Sequence, residues 1–400
     1  MNLLFITTNN LSTNPRLKKE IEYAISRKFS IILLAFKLNN WSDQFDQYTL
    51  SDKRVHAIYL SASRRPFLPW FSATLVHYLC KFLWPLFRNH NKVLAFAHHK
   101  RSFQLIQILR KIKHPVDLVI SHNLGALYPA WWYSRSRGIP FNFDVEDYYP
   151  GERIDTKDSR EISVRKILMR RMMPAASFIT YAAPLIGEKI LNEFGLETKR
   201  LILVNNSFPK AEFKSKFNIG ESSRIKLVWF SQKIGFHRGL ESVIRELSRR
   251  REKFSMTLIG WMDPVFYREY IESNQEFISC LDPLPQNELH RRLGEFDVGL
   301  AVENPSADIN RDICLTNKIW AYYLSGLYII ATNTRAQCIF MERRKDHGRI
   351  ISENKYYETF IFIQTHIDKI RTNKQHRQQI AIKESFDTEQ IKLQNTWKIK

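Results

Sequence analysis

The chain has 400 residues, 61 Lys and Arg against 40 Asp and Glu, a net charge of +21 and 44% hydrophobic residues. That hydrophobic share excludes a disordered chain and suffices for two or three folded domains. The four cysteines (Cys80, Cys280, Cys314 and Cys338) lack metal-ligand spacing, and MNLLFITTNN lacks the basic and apolar regions of a secretory signal, so reduced thiols and a cytoplasmic location are expected.

Strands and helices then alternate. Residues 3–7 read as a buried strand, 15–26 as a helix with proline in its first turn, 31–36 as a second strand and 55–60 as a short third. From Lys53 to Val116 there are 12 Lys and Arg and no Asp or Glu. Inside that stretch lies PFLPWFSATLVHYLCKFLWPLFRNHNK, residues 66–92. His77 and Lys81 interrupt its apolar run and Pro85 would kink a helix, which argues against a membrane span. A basic, aromatic, amphipathic segment suits an anionic membrane surface, with Trp70, Phe71, Phe82, Trp84 and Phe87 in the interface and Arg64, Arg65, Lys81, Arg88 and Lys92 on lipid phosphates. A pair of core helices is the plainer reading. Nucleic acid is a third, but no RNA module or zinc finger supports it, and no nucleic-acid partner is expected.

A helix near 102–113, strand 117–121, helix 124–136, strand 139–144, helix 160–173, strand 178–181, helix 184–194 and strand 201–204 follow. NNSFP at 205–209 reads as a linker. The alternation restarts with strand 226–230, helix 240–250, strand 255–259, helix 265–273, strand 277–281, helix 286–296 and strand 298–302. The fold class is therefore α/β, two Rossmann-like doubly wound domains with a cleft between them. The expected division is 1–205, 210–375 and a helical tail over 376–400.

Two stretches carry chemistry in the second half. FSQKIGFHRGLESVIREL, residues 230–247, reads as a strand ending at Phe230, a loop with Lys233, Gly235 and Arg238, and a helix opened by Gly239. Two cations and two glycines beyond a parallel strand suit a diphosphate, because glycine allows close backbone approach and arginine forks onto phosphate oxygens; an ordinary basic turn is the alternative. ICLTNKIWAYYLSGLYIIATNT, residues 313–334, reads as a polar turn, a helix stopped by Gly326 and a buried strand. Lys318 at the start of that helix is awkward, since the N-terminus already carries partial positive charge, unless an anion meets it there. In the first half, Asp144, Glu146, Asp147 and Glu152 cluster after a strand, where one carboxylate could take a proton from a hydroxyl. Metal binding and a solvated acidic loop are the competing readings.

Taken together, Arg238-Gly239 after a strand and TNKIWAYYLSGLYIIAT resemble the donor half of GT-B retaining glycosyltransferases, in the large family that includes sucrose synthases and bacterial polysaccharide enzymes. STNPRLKKEIEYAISRKFSIILLAF (12–36), SHNLGALYPAWW (121–132) and FDVEDYYPGE (143–152) resemble its acceptor half, so the likeness spans roughly 1–340. The resemblance implies a metal-independent hexosyltransferase with no cofactor beyond a nucleotide diphosphate sugar as donor. It implies a glycan or lipid-linked acceptor and work in bacterial surface polysaccharide or glycolipid assembly at the inner face of the plasma membrane. It also implies that Arg238 and Lys233 neutralise the diphosphate, while Thr316, Asn317 and Lys318, with Gly235 and Gly239, hold donor phosphate and sugar. On the acceptor side, Glu146 and Asp144 are expected as the catalytic carboxylates. Two departures stand out. The family's paired glutamates, eight residues apart, fall here on Ile313 and Ala321, leaving Asp308 or Asp312 as possible substitutes. Where many members carry a histidine two residues after the aspartate of FDVED, this chain has Glu146, and His122 is the nearest upstream histidine.

Overall fold

A computed structural model describes residues 1–40, 42–43, 51–152, 159–213, 223–304, 306–352 and 355–397. Two compact units divide the chain, one of 1–204 with 390–400, the other of 205–389.

The first unit is built on seven strands: β1 (Asn2–Thr7), β2 (Ser30–Lys37), β3 (Val55–Ser61), β4 (Leu118–His122), β5 (Phe141–Val145), β6 (Phe178–Tyr181) and β7 (Leu201–Leu203). Their order is β3-β2-β1-β4-β5-β6-β7 and every pairing is parallel. β4 and β5 are buried along their whole length, as strands covered on both faces must be. The order reverses between β1 and β4. The crevice beyond the carboxyl ends at such a reversal is where doubly wound sheets place ligands. Helix α1 (Pro15–Ser26) starts just beyond β1, capped by Asn14, whose side chain accepts from the Leu17 amide.

The basic segment folds as α2 (Phe67–Leu83), α3 (Asn91–His98) and α4 (Lys100–Leu109). α2 is not a core helix: Ala73 is its one buried residue, while Leu68 is 76% and Phe82 79% exposed. Phe71 and Phe87 are exposed as well, but Trp84, expected beside them, is only 7% exposed and belongs to the interior. Among the described residues no helix is long and apolar enough to cross a membrane. Helices α5 (Leu124–Arg137), α6 (Ser159–Met172) and α7 (Pro184–Phe194) complete the unit.

The second unit holds β8 (Ile225–Ile234), β9 (Phe254–Met262), β10 (Ile278–Leu281), β11 (Val298–Ala301), β12 (Tyr328–Thr332) and β13 (Gly348–Ile351), in the parallel order β10-β9-β8-β11-β12-β13. Its reversal lies between β8 and β11. Leu227, Trp229, Val298, Leu300 and Ile330 form its buried centre. Helix α8 (Leu240–Ser248) follows β8. β8 outruns its expected end at Phe230: the ladder slips at a bulge and resumes with Lys233 opposite Trp261 and Ile234 opposite Met262. Gly260 makes that bulge possible, since a Cβ there would lie 2.0 Å from the Ser231 carbonyl oxygen.

The C-terminal stretch does not stand apart. Lys374–Ala381 packs within the second unit, and its Arg377 donates to the Gly326 carbonyl. Phe386–Trp397 ends in the first unit, where Trp397 meets Tyr23 (ring centroids 5.4 Å) and Phe5 (6.1 Å). Burial of that indole brings the tail back to β1. Residues 398–400 lie outside the described residues.

Candidate functional sites

In the first unit, the reversal between β1 and β4 carries a buried charge network. Arg16, the second residue of α1, grips Asp144 on β5 with two of its guanidinium nitrogens (Nε–Oδ2 2.6 Å, Nη2–Oδ1 2.7 Å). Its remaining arm donates to the Val204 carbonyl at 2.5 Å. Thr180 donates to the same aspartate. His122, at the end of β4, places Nδ1 2.9 Å from Glu146 Oε1 and 3.4 Å from Asp144 Oδ2, and Nε2 3.5 Å from Glu20 Oε2. Asn14 donates to Glu146 at 2.6 Å. Arg16, Glu20, His122 and Asp144 are essentially inaccessible, whereas the Glu146 side chain is 22% exposed.

Burial opposes charge on His122. Glu20 and the hydrogen bonds to Asp144, Glu146 and Glu20 outweigh it and hold the imidazole proton well above the ordinary histidine range. Burial likewise opposes charge on Asp144, and Arg16 and His122 override it, holding the carboxyl far below the usual range. Asp144 and Glu146, expected in one role, are separated by the geometry. Asp144 is sealed and held ionised, so it positions its neighbours; Glu146 is the network's accessible tip. Glu20, His122 and Asp144 each turn one ligand atom to within 4.8 Å of the others. A divalent cation among them would face the Arg16 guanidinium already seated on Asp144, so this donor set does not fit a metal. Glu152, from the same acidic cluster, pairs with Arg165 at 3.0 Å.

The second unit's reversal differs. Lys233 lies on the β8 extension, largely exposed, 3.1 Å from Asp263. Gly239 caps α8 at φ 78°, a left-handed conformation that glycine adopts without strain. Arg238 beside it is half-buried and makes no ion pair or hydrogen bond among the described residues. Burial disfavours its charge, Glu303 favours it and Arg311 opposes it. Nothing around Gly235 demands glycine, since a Cβ there would meet Asp263 at an ordinary 3.5 Å.

Helix Asn317–Leu324 begins with Thr316 at its cap position, yet the Thr316 hydroxyl is buried without a hydrogen-bond partner. Asn317 accepts from Asn206 at 2.6 Å. Lys318 does have its anion, but the chain supplies it. Glu303, just past β11 and 3% exposed, sits 2.6 Å from Lys318 Nζ, and the ammonium lies 4.9 Å from the Trp229 ring. The expectation that Lys318 waits for a diphosphate is corrected accordingly. Ile313 and Ala321 are core residues. Asp308 caps Ile309–Ile313 and Asp312 pairs with Arg335, so both suggested substitutes are engaged.

Glu303, Arg16 and Glu20 were missed from sequence. The signal for the last two was charge at positions 16 and 20, one turn apart on the face of α1 that buries Leu17, Ile21 and Ala24. For Glu303 it was an acid directly after a wholly apolar strand.

Solved structures resemble the whole chain. HepE from Anabaena in complex with UDP-glucose superposes with a TM-score of 0.67 at 13% identity, covering 99% of each chain. A glycosyltransferase from Rickettsia africae gives 0.63 at 12%, covering 98% of this chain and 99% of that one. Sucrose-phosphate synthase from Thermosynechococcus elongatus gives 0.66 at 11%, covering 99% and 98%. The fold is GT-B. No family model and no curated protein matches the sequence. Within the GT-B frame, Arg238 and Glu303 flank the switch point of the second sheet, and His122 ends a strand at that of the first.

Proposed function

We propose that the chain is a glycosyltransferase that moves a hexose, with retention of configuration, from a nucleotide diphosphate donor to a glycan or lipid-linked acceptor in bacterial surface polysaccharide or glycolipid assembly. The observation that carries this reading is Arg238. A half-buried guanidinium without an ion pair or hydrogen bond among the described residues, next to a left-handed glycine and the start of α8, offers donors to a diphosphate. The likeness to HepE, solved with UDP-glucose, supports the same ligand class. Arg238 and Lys233 take up charge developing on the leaving diphosphate. Gly239 lets the backbone approach the phosphates, and the free hydroxyl of Thr316 with Asn317 holds the donor. Lys318, neutralised by Glu303, shapes the helix start. Glu146 accepts the acceptor's hydroxyl proton while His122 and Asn14 hold it in place, and Asp144 fixes that arrangement through Arg16. The exposed apolar residues of α2 and the acid-free run around them seat the protein on the anionic inner leaflet.

Ile313 and Ala321 favour a second reading, a catalytically inactive GT-B scaffold that binds a membrane or partner proteins. Mass spectrometry of products from a panel of nucleotide sugars with bacterial lipid extract separates the two. A hexose-mass gain from one donor supports transfer, and anomeric NMR of that product tests retention. No product from any donor overturns the transferase reading and leaves the scaffold.

A further inference from the structure

At the carboxyl edge of the first unit's sheet, a second group of cations stands apart from the buried network. Arg64 follows β3 in a loop tied by Ser61 and Ser63, whose hydroxyls donate to the Arg65 carbonyl at 2.5 and 3.0 Å. Its guanidinium lies 5.4 Å from the Trp70 ring centroid, and Lys100 Nζ lies 5.7 Å from the same ring. Arg101 stacks 5.2 Å from Phe36 and donates one arm to the Thr8 carbonyl, while its Nε is buried without a partner. Lys100 and Arg101 open α4, where the helix end already carries partial positive charge. None of the three forms an ion pair among the described residues, and no acid occurs between residues 53 and 116. Like charges held this close, with an indole between two of them, destabilise one another unless an anion joins them.

The group lies beside the proposed base. Thr8, which Arg101 holds, donates to Asn123 at 2.7 Å; Asn123 follows His122, and His122 holds Glu146. α2, with its exposed Phe67, Leu68 and Phe71, begins three residues after Arg64. We infer that Arg64, Trp70, Lys100 and Arg101 form a subsite for a phosphate or diphosphate group that links the acceptor's sugar to its apolar carrier. The sugar hydroxyl then points toward Glu146, the phosphate sits on the cations, and the carrier runs along α2 into the lipid. This deepens the acceptor side of the proposed function and rests on it. The binding itself needs neither donor nor turnover.

The test uses the full chain labelled with 5-fluorotryptophan, with the Trp70 resonance assigned by Trp70→Phe. Inorganic diphosphate and vesicles containing dihexadecyl phosphate are the two probes. A saturable shift of the Trp70 signal with diphosphate supports the subsite and shows that the phosphate group alone is recognised. A shift with these vesicles but not with carboxylate-lipid vesicles of equal charge supports it and assigns the lipid headgroup as the source, whereas an equal shift with both vesicles reads membrane seating alone and overturns it. In Arg64→Gln/Lys100→Gln, two accessible positions, either response weakens about tenfold or more, the loss of charge-assisted bonds to an anion. Nucleotide-sugar binding is unchanged in that variant. A Trp70 signal indifferent to both probes, or one that shifts equally in the double variant, overturns the inference. Because donor binding is read separately, failure here leaves the donor reading standing, and failure of that reading leaves this shift measurable.

Discussion

The two sheets reverse at corresponding places and hold opposite electrostatic states there. Beyond β1 and β4, every buried charge is answered from within the chain: Arg16 by Asp144, His122 by Glu20, Asp144 and Glu146. Beyond β8 and β11, Lys318 is answered by Glu303 and Lys233 by the half-buried Asp263, but among the described residues Arg238 has no ion pair or hydrogen bond and the Thr316 hydroxyl is unbonded. The first arrangement is a completed scaffold with one accessible tip, Glu146. The second leaves a cation unpaired. A ligand adds free energy where the chain has left donors unused, so the proposed function assigns the donor to the second unit and position and a base to the first.

The largest effect that sharpens this contrast is on stability. Arg16→Ala strands Asp144 in the interior and should cost about 3–5 kcal/mol, as the loss of one partner of a buried pair does. Urea unfolding of the full chain reads it, and a loss below about 1 kcal/mol would mean the network is not the scaffold described. Arg238→Ala should act the other way round, leaving the unfolding midpoint nearly unchanged. Turnover should fall two to three decades, equivalent to about 3–4 kcal/mol of barrier; near-normal turnover would remove Arg238 from the donor site. Glu303→Gln tests Lys318, the buried and answered cation just beyond β11. It should lower ligand-free stability by about 1–3 kcal/mol and enlarge the stabilisation gained from a nucleotide sugar, because Lys318 is released toward the phosphates.

Protonation gives a smaller effect. His122 holds its proton more tightly folded than unfolded, so its contribution is complete below about pH 6.5. Above that value the unfolded state sheds the proton first, and stability declines by about 1.4 kcal/mol per pH unit until the folded group also titrates. Asp144 behaves oppositely: its contribution is present above about pH 3.9 and is lost as the pH falls toward its depressed folded value. His122→Gln should flatten the alkaline decline in a pH series of unfolding curves while leaving the acid side in place. Smallest is the membrane term. Lys81→Gln should weaken partition onto anionic vesicles about fivefold, or about 1 kcal/mol, with the difference vanishing at high salt.

Much of this was legible in the residues because the signals were local. Apolar runs of strand length alternating with helical spacing locate most of both sheets, and Arg238-Gly239 marks the turn before α8. What stayed hidden depends on partners distant in sequence. β8 continues past Phe230 because β9 continues beside it, which no pattern within 225–234 reveals. The role of Lys318 was misread because its anion lies fifteen positions earlier, on another strand's end. Asp144 and Glu146 look alike in FDVED, and only Arg16, more than a hundred residues away, tells them apart. The short β13 and helix Arg335–Glu342 pass unnoticed, with an arginine inside the first and a weak apolar pattern in the second.

The central claim, that Arg238, unpaired among the described residues, awaits a nucleotide diphosphate sugar, is tested most directly by unfolding the wild type and Arg238→Ala against a panel of such sugars. One donor should stabilise the wild type saturably, by about 2.7 kcal/mol at a hundred times its Kd, and Arg238→Ala should lose most of that gain. A panel in which no nucleotide sugar stabilises the wild type, or in which one stabilises both proteins equally, would contradict the account.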